Sequence, residues 1–551
     1  MSAPCLLRAP PFHGRTATVS KLAQPASPPL RDMFQLLRKA RVGGAFWLEP
    51  VDQPIPLPVI VRARHGDSIE ELAALIPAAT RSNAAWSLPN CAQSTLTRFR
   101  KLHGGSWYGD IDPWSALELA DRLVAHGDDE WVAIARICSV QVQVLSSGRY
   151  GTPTDNDAIL DQKVADAINA AAYTDPFTNN PATISQVVAL LAEWRTLIQD
   201  NRHIAAACGM AWWKHDEIRR FLWVPGRQLP ILSRTTKALQ IAHKTGGAVA
   251  IWPSRVSPSL LDAAAKQGTT LIRVEDGFVR SVGLGSNLVP PSSVVVDRRG
   301  IHFDPAHPSD LEHILATTAF TPELTERARA LRQTIVSAGI SKYSADANSP
   351  ASPRTSGRKV VLVPGQVEDD MSVLAGGGGL RSNLELLRRT RALEPYAEIL
   401  FRPHPDVDAG HRKGVVTDAD ALQFADRIVR GGGMAALLDA VDAVHVITSL
   451  TGFEALMRGL EVNCHGTPFY AGWGLTRDLG HVPDRRGRKL SLDELVAGVL
   501  ILYPRYLDPV SGLPCPPEVL IRRMSSAQAP NRLSWAEPLR RWQGKFMARW
   551  R

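Results

Sequence analysis

The feature that most constrains the fold is a regular alternation between short β-branched runs and stretches with helical periodicity. The runs are AVAIW (248–252), TLIRV (270–274), SVVVD (293–297), KVVLVPG (359–365), AEILFRPHP (397–405) and AVHVITS (443–449). Strands that alternate with helices predict parallel sheets made of strand–helix–strand units. Ligands of such folds bind at the carboxyl ends of the strands, so the residues after each run are the first candidates for a site.

Length, charge and cysteine content narrow the class of protein. A chain of 551 residues is too long for one hydrophobic core, so we expect two or three domains. The net charge of +9 favours an anionic partner (nucleic acid, anionic lipid or an acidic small molecule), although a basic surface that serves only solubility fits equally well. None of the six cysteines forms a CxxC pair, so a reducing cytoplasm is expected. Without a signal peptide or an apolar run of membrane-spanning length, a soluble or peripheral protein is expected.

Composition predicts where the domains begin and end. Residues 1–30 are rich in Pro and Ser and are predicted to be disordered, and the polar segment SADANSPASPRTSGR (344–358) is predicted to be a linker. Three α/β lobes are predicted at 31–195, 196–343 and 359–525. A basic and aromatic helix is predicted at 526–551, where it suits an anionic bilayer surface or packs back on the preceding lobe.

An internal repeat is predicted from two segments that match without a gap, YTDPFTNNP (173–181) and YLDPVSGLP (506–514). Upstream, residues 120–146 resemble residues 441–466, and PVIVRARHGD (58–67) aligns with AEILFRPHPD (397–406). The 31–195 lobe is therefore interpreted as a degenerate copy of the 359–525 lobe. Chance similarity between generic strand–helix units is the alternative.

Two adjacent acids, Glu275 and Asp276, stand at the end of the run TLIRV. Side chains alternate along an extended backbone, so one acid can face a ligand while Arg273 or Arg280 pins the other. Gly277 would allow a tight turn after them. A solvated turn with ion pairs is the alternative interpretation of this stretch.

A second candidate is the loop FRPHPDVD (401–408), whose prolines hold His404 out of a helix beside Arg402. An imidazole and a guanidinium on a rigid loop suit a phosphate, and a proline-shaped turn with an incidental histidine is the alternative. Asp406 and Asp408 have no second histidine at ligand spacing, so no metal site is predicted.

A third candidate is HVITSLTGFEALMRG (445–459), in which a helix is expected to begin near Gly452. The hydroxyls of Thr448, Ser449 and Thr451, with the helix N-terminus, are typical of an anion site. Glu454 is expected in the first helical turn, within reach of a ribose. Simple N-capping is the alternative.

A fourth candidate is GQVEDDMSVLAGGGGLRSN (365–383), which follows a predicted strand and opens with Gly365 and Gln366. The run Gly376–Gly379 is expected to be a mobile binding loop. Neither a P-loop nor a dinucleotide fingerprint is present.

The order of these motifs resembles that of sialyltransferase-like enzymes of the GT-B type, which use CMP-activated sugars. Longer phrases resemble the capsule polysaccharide biosynthesis family of the KpsC/LipB type: VEDGFVRSVGLGSNLVPPSSVVVD, LVPGQVEDDMSV, FRPHPDV, TSLTGFEALMRG, PFYAGWGLTRD, LSLDELVAGVLILYPRYLDP and NRHIAAACGMAWWKHDEIRRFL. The resemblance covers about 170–525. It implies an α/β fold of the GT-B type, with two Rossmann-like lobes around a cleft, preceded here by a partial repeat lobe.

The resemblance also implies an activity. Members transfer β-linked Kdo, an acidic eight-carbon sugar, from CMP-Kdo to a lipid-linked acceptor with retention of configuration, and often carry two catalytic modules. For this chain it implies Asp276 as nucleophile and Glu275 as orienting group or proton shuttle, with the two roles exchangeable. It implies His404 as the group that protonates the departing phosphate.

The remaining implied roles concern binding of the donor, with no metal and no further cofactor. The phosphate would be held by Thr448, Ser449 and Thr451, which we call the hydroxyl turn, and the ribose by Glu454. Guanidinium groups would hold the Kdo carboxylate, and Gly365 and Gln366 would also contact the donor. The residues concerned are Arg402, Thr448, Ser449, Thr451, Glu454, Gly365, Gln366, Arg280 and Arg273.

The first repeat departs from the family pattern. The predicted counterparts of TSLTGFEA and FRPHP are HGDDEWVA (126–133) and VRARHG (61–66). In the first of these, Asp128, Asp129 and Glu130 would repel a phosphate. No donor site is therefore expected in residues 1–195.

The alternatives to an active transferase are a non-catalytic scaffold that binds CMP-Kdo or glycolipid, a GT-B epimerase and, last, a nucleic-acid-binding protein. The expected location is the cytoplasm, either free or peripheral on the inner membrane, and capsule biosynthesis or export proteins are candidate partners.

Overall fold

The chain forms two compact units in the computed structural model, which describes residues 4–12, 17–22, 30–51, 57–280, 289–341, 357–410 and 412–526. The first unit consists of Met1–Arg202 with Trp223–Arg227, and the second of His203–Leu222 with Gln228–Arg551. The predicted linker at 344–358 and the C-terminal helix at 526–551 lie almost entirely outside the described residues.

The first unit contains one parallel sheet of five strands, ordered β4-β3-β2-β5-β6, and a separate antiparallel pair, β1 with β7. Its strands are β1 (Ser20–Leu22), β2 (Leu57–Arg62), β3 (Ala85–Ser87), β4 (Ser106–Tyr108), β5 (Ala120–Ala125), β6 (Gln141–Val144) and β7 (Ala171–Tyr173). Its helices are α1 (Leu30–Ala40), α2 (Ile69–Ala74), α3 (Gln93–His103), α4 (Pro113–Leu117), α5 (Glu130–Ile137), α6 (Asp157–Asn169) and α7 (Ile184–Asn201).

The N-terminal segment differs from the predicted disorder wherever the structure describes it. Leu6, Leu7, Phe12 and Val19 are buried, and strand β1 pairs with β7. Proline and serine dominate the composition of residues 1–30, but a few apolar side chains suffice to dock the segment. The prediction of disorder is therefore wrong for residues 4–12 and 17–22.

The second unit contains two sheets and the remaining elements. Its strands are β8 (Ile204–Cys208), β9 (Ile231–Leu232), β10 (Ala248–Ile251), β11 (Leu271–Asp276), β12 (Ser293–Asp297), β13 (Val360–Pro364), β14 (Glu398–Arg402), β15 (Arg427–Ile428), β16 (Ala443–Val446), β17 (Glu461–Cys464), β18 (Arg477–Asp478), β19 (Pro504–Leu507) and β20 (Pro514–Cys515). Its helices are α8 (His215–Phe221), α9 (Thr235–Thr245), α10 (Pro258–Gln267), α11 (Asp310–Thr317), α12 (Pro322–Ser337), α13 (Met371–Gly376), α14 (Asn383–Leu393), α15 (Pro405–Asp408), α16 (Asp418–Ala421), α17 (Met434–Leu438), α18 (Leu450–Met457), α19 (Leu492–Val496) and α20 (Pro517–Ser525).

The two sheets of the second unit define two lobes. The first sheet has the order β20-β19-β12-β11-β10-β8-β9, and the second has the order β15-β14-β13-β16-β17-β18 with every pair parallel. Strand β13 is buried along its whole length, as expected of a parallel strand covered on both faces. The predicted GT-B-like pair of Rossmann-type lobes is confirmed. The run SVVVD forms β12, which is antiparallel to β11 and β19, so the expectation of a wholly parallel first sheet is wrong.

The same strand order recurs in the first unit. Its order β4-β3-β2-β5-β6 corresponds to β15-β14-β13-β16-β17 in the second unit, so a partial α/β repeat lobe does precede the two-lobed unit. The gap-free match is also structural: Thr174 bridges Pro181 as Leu507 pairs with Pro514. Both turns close through an aspartate that accepts backbone hydrogen bonds.

The topology corrects one detail of the predicted repeat. Strand β2 pairs with β5 as β13 pairs with β16, whereas β14, which carries the FRPHP motif, lies on the far side of β13. The counterpart of FRPHP in the first unit therefore follows β3, at Ser87-Leu88-Pro89, rather than β2 at VRARHG. Two apolar runs ending in a basic residue were indistinguishable by local sequence.

Candidate functional site

The acid pair lies where the sequence predicts it, as the last two residues of strand β11. The carboxylate of Asp276 is held by two cations. Its Oδ1 is 3.0 Å from Nζ of Lys214, and its Oδ2 is 2.9 Å from Nε of Arg280. The Lys214 contact is a hydrogen bond and the Arg280 contact an ion pair, so the two cations fix the carboxylate and stabilise its negative charge.

Both cations are buried beside tryptophan rings. The side chains of Lys214 and Arg280 are 8% and 1% exposed. Nζ of Lys214 lies 3.4 Å from the ring centroid of Trp252 and 5.0 Å from that of Trp213, and the Arg280 guanidinium carbon lies 5.9 Å from Trp213. Burial lowers the pKa of Lys214, and the carboxylates of Asp276 and Glu275 oppose that effect. We call Lys214, Arg280, Trp213 and Trp252 the cation cage.

The strand arrangement brings the cage together. Strands β8, β10 and β11 are neighbours and parallel, so their carboxyl ends meet at one edge of the sheet. Lys214 belongs to a short 3₁₀ turn, Trp212–Lys214, that follows β8, and Trp252 directly follows β10. The sequence does not predict the role of Lys214, because its contact with Asp276 spans 62 residues and leaves no local signal.

The neighbours of Asp276 have different surroundings. An Oε1 atom of Glu275 accepts a hydrogen bond from the backbone N–H of Asp276 at 3.0 Å. Arg273 lies two residues before Glu275, on the same face of β11. Gly277 is needed for a close approach: a Cβ there would lie 2.1 Å from Oγ of Ser293 on β12. Arg280, expected to grip a ligand carboxylate, is instead buried against Asp276.

Loops after β13 and β16 are joined by a side-chain bridge. Gln366 is buried and accepts a hydrogen bond from the backbone N–H of Thr448 at 2.9 Å, while its amide donates to Oγ1 of Thr448 at 3.1 Å. The side chain of Asn383 accepts from the backbone N–H of Gln366 and donates to its carbonyl, both at 2.8 Å. These contacts hold the hydroxyl turn in place.

Helix α18 begins at Leu450, two residues before the expected start near Gly452. Ser449 is the N-cap; its Oγ accepts from the backbone N–H of Thr451 at 3.2 Å. Glu454 therefore lies in the second turn and is buried, 6% exposed, rather than in the first turn. Gly452 lies close to Tyr470: a Cβ there would lie 2.2 Å from the phenol oxygen.

The loop FRPHPDVD (401–408), which we call the HP loop, lies beside Gly365 at the start of segment 365–383. The backbone N–H of Gly365 donates to the carbonyl of Arg402 at 2.8 Å, and a Cβ on Gly365 would lie 3.2 Å from the backbone nitrogen of His404. Nδ1 of His404 accepts from the backbone N–H of Asp406 at 3.2 Å, so a neutral ring carries its proton on Nε2. The guanidinium of Arg402 donates hydrogen bonds to the carbonyls of Gly431 and Gly432, at 2.8 and 2.6 Å. We call this segment after β15 the Gly431 loop.

Aromatic packing links the two lobes of the second unit. Phe278, which follows Gly277, lies 4.6 Å from Phe469 and 6.5 Å from Phe453 on α18, between ring centroids. The glycine run is also packed: Gly376 ends α13, and a Cβ there would lie 3.0 Å from the Thr448 side chain. The first half of the predicted mobile loop is thus a helix end beside the hydroxyl turn.

The corresponding edge of the first unit is filled by its own ion pairs. Asp129 caps α5 and pairs with Arg62 at 3.4 Å, and Asp128 pairs with Arg64. Glu130 pairs with Arg8 at 2.6 Å. Each acid that replaces a hydroxyl is therefore balanced within the unit by a guanidinium.

The described part of the chain contains neither a cluster suited to a metal ion nor a membrane-spanning helix. No group of three or more His, Cys, Asp or Glu side chains there is placed to hold a metal ion. No helix among those residues has the length and apolar character needed to cross a membrane.

Comparison with known proteins identifies the family. The model of the family described as capsule polysaccharide biosynthesis protein matches residues 247–506, which include the acid pair, the HP loop and the hydroxyl turn. The lipopolysaccharide-processing protein LpsZ of Rhizobium meliloti is 41% identical over 313 residues, covering 56% of this chain and 71% of LpsZ. The chain belongs to the capsule polysaccharide biosynthesis family. The resemblance to the KpsC/LipB type inferred from the motifs is confirmed.

Two further relatives define how far the similarity extends. The capsule polysaccharide modification protein LipA of Neisseria meningitidis serogroup A is 40% identical over 337 residues, 61% of this chain and 47% of LipA. This capsule-family chain thus matches about half the length of LipA. A solved structure described as Thermosulfurimonas dismutans KpsC, β-Kdo 2,4 transferase, is 32% identical with a TM-score of 0.50, covering 59% of this chain and 99% of the KpsC chain.

Proposed function

We propose that this capsule-family protein is a glycosyltransferase that moves Kdo from CMP-Kdo to a lipid-linked, Kdo-primed acceptor, with retention of configuration and with Asp276 as nucleophile. The observation that carries the proposal is the carboxylate of Asp276 at the end of a parallel strand, fixed between Lys214 and Arg280. The similarity to a structure described as a β-Kdo transferase supports the choice of sugar.

Retention requires two displacements or a front-face route, and a fixed carboxylate suits the first. In the first displacement an oxygen of Asp276 would bond to C2 of Kdo as the bond from C2 to the phosphate oxygen breaks. The electron pair of that bond leaves with CMP. The Nε2–H of the neutral His404 ring is suited to donate a hydrogen bond to the departing phosphate, since Nδ1 already accepts one; the ring keeps its proton and CMP leaves as the phosphate anion.

The phosphate would be held by the hydroxyl turn. Ser449 and Thr451 lie at the N-terminus of α18, where the helix dipole favours an anion. Gln366 and Thr448 bind each other, so we assign them the positioning of that turn. Arg402 donates to the carbonyls of Gly431 and Gly432, so it would help to bind the phosphate through its positive charge and not through a direct hydrogen bond.

In the second displacement an acceptor hydroxyl would attack C2 from the face that CMP left. The bond from C2 to Asp276 breaks, the electron pair returns to the carboxylate, and Glu275 is suited to take the hydroxyl proton. The acceptor would be presented at the inner-membrane surface, in the cytoplasm, by the capsule biosynthesis machinery.

The test is transfer by the full chain, with CMP-Kdo formed in situ, a Kdo-primed synthetic glycolipid, and product read by mass. We expect transfer by wild type and at least a 10³-fold loss in Asp276→Asn, because the nucleophile is removed while its shape is kept. Asp262→Asn, an exposed aspartate on α10 of the same lobe, is the matched control and should transfer normally.

Other outcomes would separate the alternatives. Wild type that binds CMP but transfers nothing would favour a non-catalytic scaffold. Undiminished transfer by Asp276→Asn, with a fold like that of wild type, would exclude Asp276 as nucleophile.

A further inference from the structure

Lys214 is a buried cation for which the family motifs assign no part. Its Nζ is 3.0 Å from Oδ1 of Asp276, and its side chain is 8% exposed. The Trp252 ring lies 3.4 Å from the same atom, so the ammonium is screened from water on that side. Removing a charge from water is costly, and a buried lysine held against one carboxylate indicates a specific electrostatic purpose.

The charges around Lys214 are balanced in the resting site. Asp276 and Glu275 supply two negative charges, and Lys214 and Arg280 supply two positive ones. When Asp276 forms an ester with the sugar, its negative charge disappears and the two cations lose their partner. The ester form is then the state that the cage disfavours, and the free carboxylate is the state that it favours.

We propose that Lys214 is a positioning residue that, with Arg280, stabilises the Asp276 carboxylate as the leaving group of the second displacement. The inference rests on the proposed function. In that step the acceptor oxygen bonds to C2, the C2–O bond to Asp276 breaks, and the electron pair passes to the carboxylate between Nζ and Nε. Lys214 therefore accelerates breakdown of the glycosyl-enzyme rather than its formation.

The variant that tests this is Lys214→Met, which keeps an unbranched side chain, one atom shorter, and removes its charge. Full-length protein is mixed with CMP-Kdo and saturating acceptor under single-turnover conditions, then quenched and analysed by intact mass. We expect CMP release within about threefold of wild type, transfer slowed by about 100-fold, and a persistent protein species heavier by one Kdo. Lys266→Met, an exposed lysine on α10, is the matched control and should behave as wild type.

Wild-type protein provides a second measurement that needs no substitution at the cage. Burial places the pKa of Lys214 below the ordinary lysine range, so the ammonium loses its proton as pH rises through that lowered value. The Kdo-bearing species should therefore last longer at alkaline pH, while Lys214→Arg, where it folds, should keep a short lifetime to higher pH.

The outcomes distinguish this inference from the proposed function. Wild type that transfers nothing overturns both. Wild type that transfers normally, beside a Lys214→Met variant whose CMP release falls as much as its transfer, overturns the inference alone. A lifetime of the Kdo-bearing species that does not change with alkaline pH in wild type would also overturn it.

Discussion

At the scale of single residues, the structure places two cations on Asp276 where the sequence predicts one. The sequence predicts that Arg273 or Arg280 pins one acid of the pair, and the structure pairs Arg280 with Asp276. The sequence could not predict the contact of Lys214 with Asp276, because β8 and β11 are brought close only through β10, which lies between them. The local motif predicts where Asp276 lies, and the pairing of β8, β10 and β11 determines which cations surround it.

Gly277 gives a prediction at this scale. A Cβ at position 277 would lie 2.1 Å from Oγ and 2.8 Å from Cβ of Ser293, so Gly277→Ala must push β11 and β12 apart. We expect a loss of about 1–3 kcal/mol in the free energy of unfolding, as for overpacking, and reduced transfer because Asp276 shifts. Urea unfolding and the transfer assay measure both.

Gly357→Ala is the matched control for that substitution. Nothing lies within 4 Å of a Cβ at Gly357, and its backbone does not require glycine, so stability and transfer should remain unchanged. Equal stability of Gly277→Ala and Gly357→Ala would contradict the close-approach argument.

At the scale of elements, strands were easier to predict than their partners. All six apolar runs form strands, because β-branched residues buried on both faces leave a strong signal. The direction of β12 was wrong, and α18 begins two residues before the predicted position. Strand direction depends on which neighbour is available, and the helix start is set by the N-cap Ser449.

A buried histidine pair, His445 on β16 and His465 directly after β17, predicts acid lability. Nδ1 of His445 lies 3.0 Å from Nε2 of His465. Burial lowers the pKa of each to about 4, with Lys359 adding to the effect at His445 and His445 adding to it at His465. Unfolded histidines titrate near 6.5, so the unfolded chain binds more protons below that pH. Stability should therefore fall as pH falls from about 6.5 towards 4.

Substitution of one histidine tests this contribution. In thermal unfolding between pH 7 and pH 5, His465→Gln should lose less stability than wild type, by up to about 1.4 kcal/mol per pH unit. His313→Gln, an exposed histidine on α11, should keep the wild-type slope. An identical pH slope in His465→Gln would contradict the assignment.

At the scale of the whole molecule, the repeat was visible in sequence because one turn is constrained at several positions. Asp175 and Asp508 accept equivalent backbone hydrogen bonds, and Asn179 and Gly512 both have positive φ, of 60° and 70°. The rest of the first unit has diverged, which is why the FRPHP counterpart was misplaced. The ion pairs of Asp128, Asp129 and Glu130 could not be predicted either. Their partners Arg64, Arg62 and Arg8 come from distant segments of the chain.

The measurement that tests the central claim most directly is the site of covalent attachment. The full chain is incubated with CMP-Kdo formed in situ and no acceptor, quenched, digested, and mapped by mass spectrometry. The account predicts one Kdo per chain, on the peptide that contains Asp276, and none on peptides from residues 57–202, where Asp128, Asp129 and Glu130 stand in place of the hydroxyls proposed to hold the phosphate. Kdo on a residue of the first unit, or on Glu275 in place of Asp276, would contradict it.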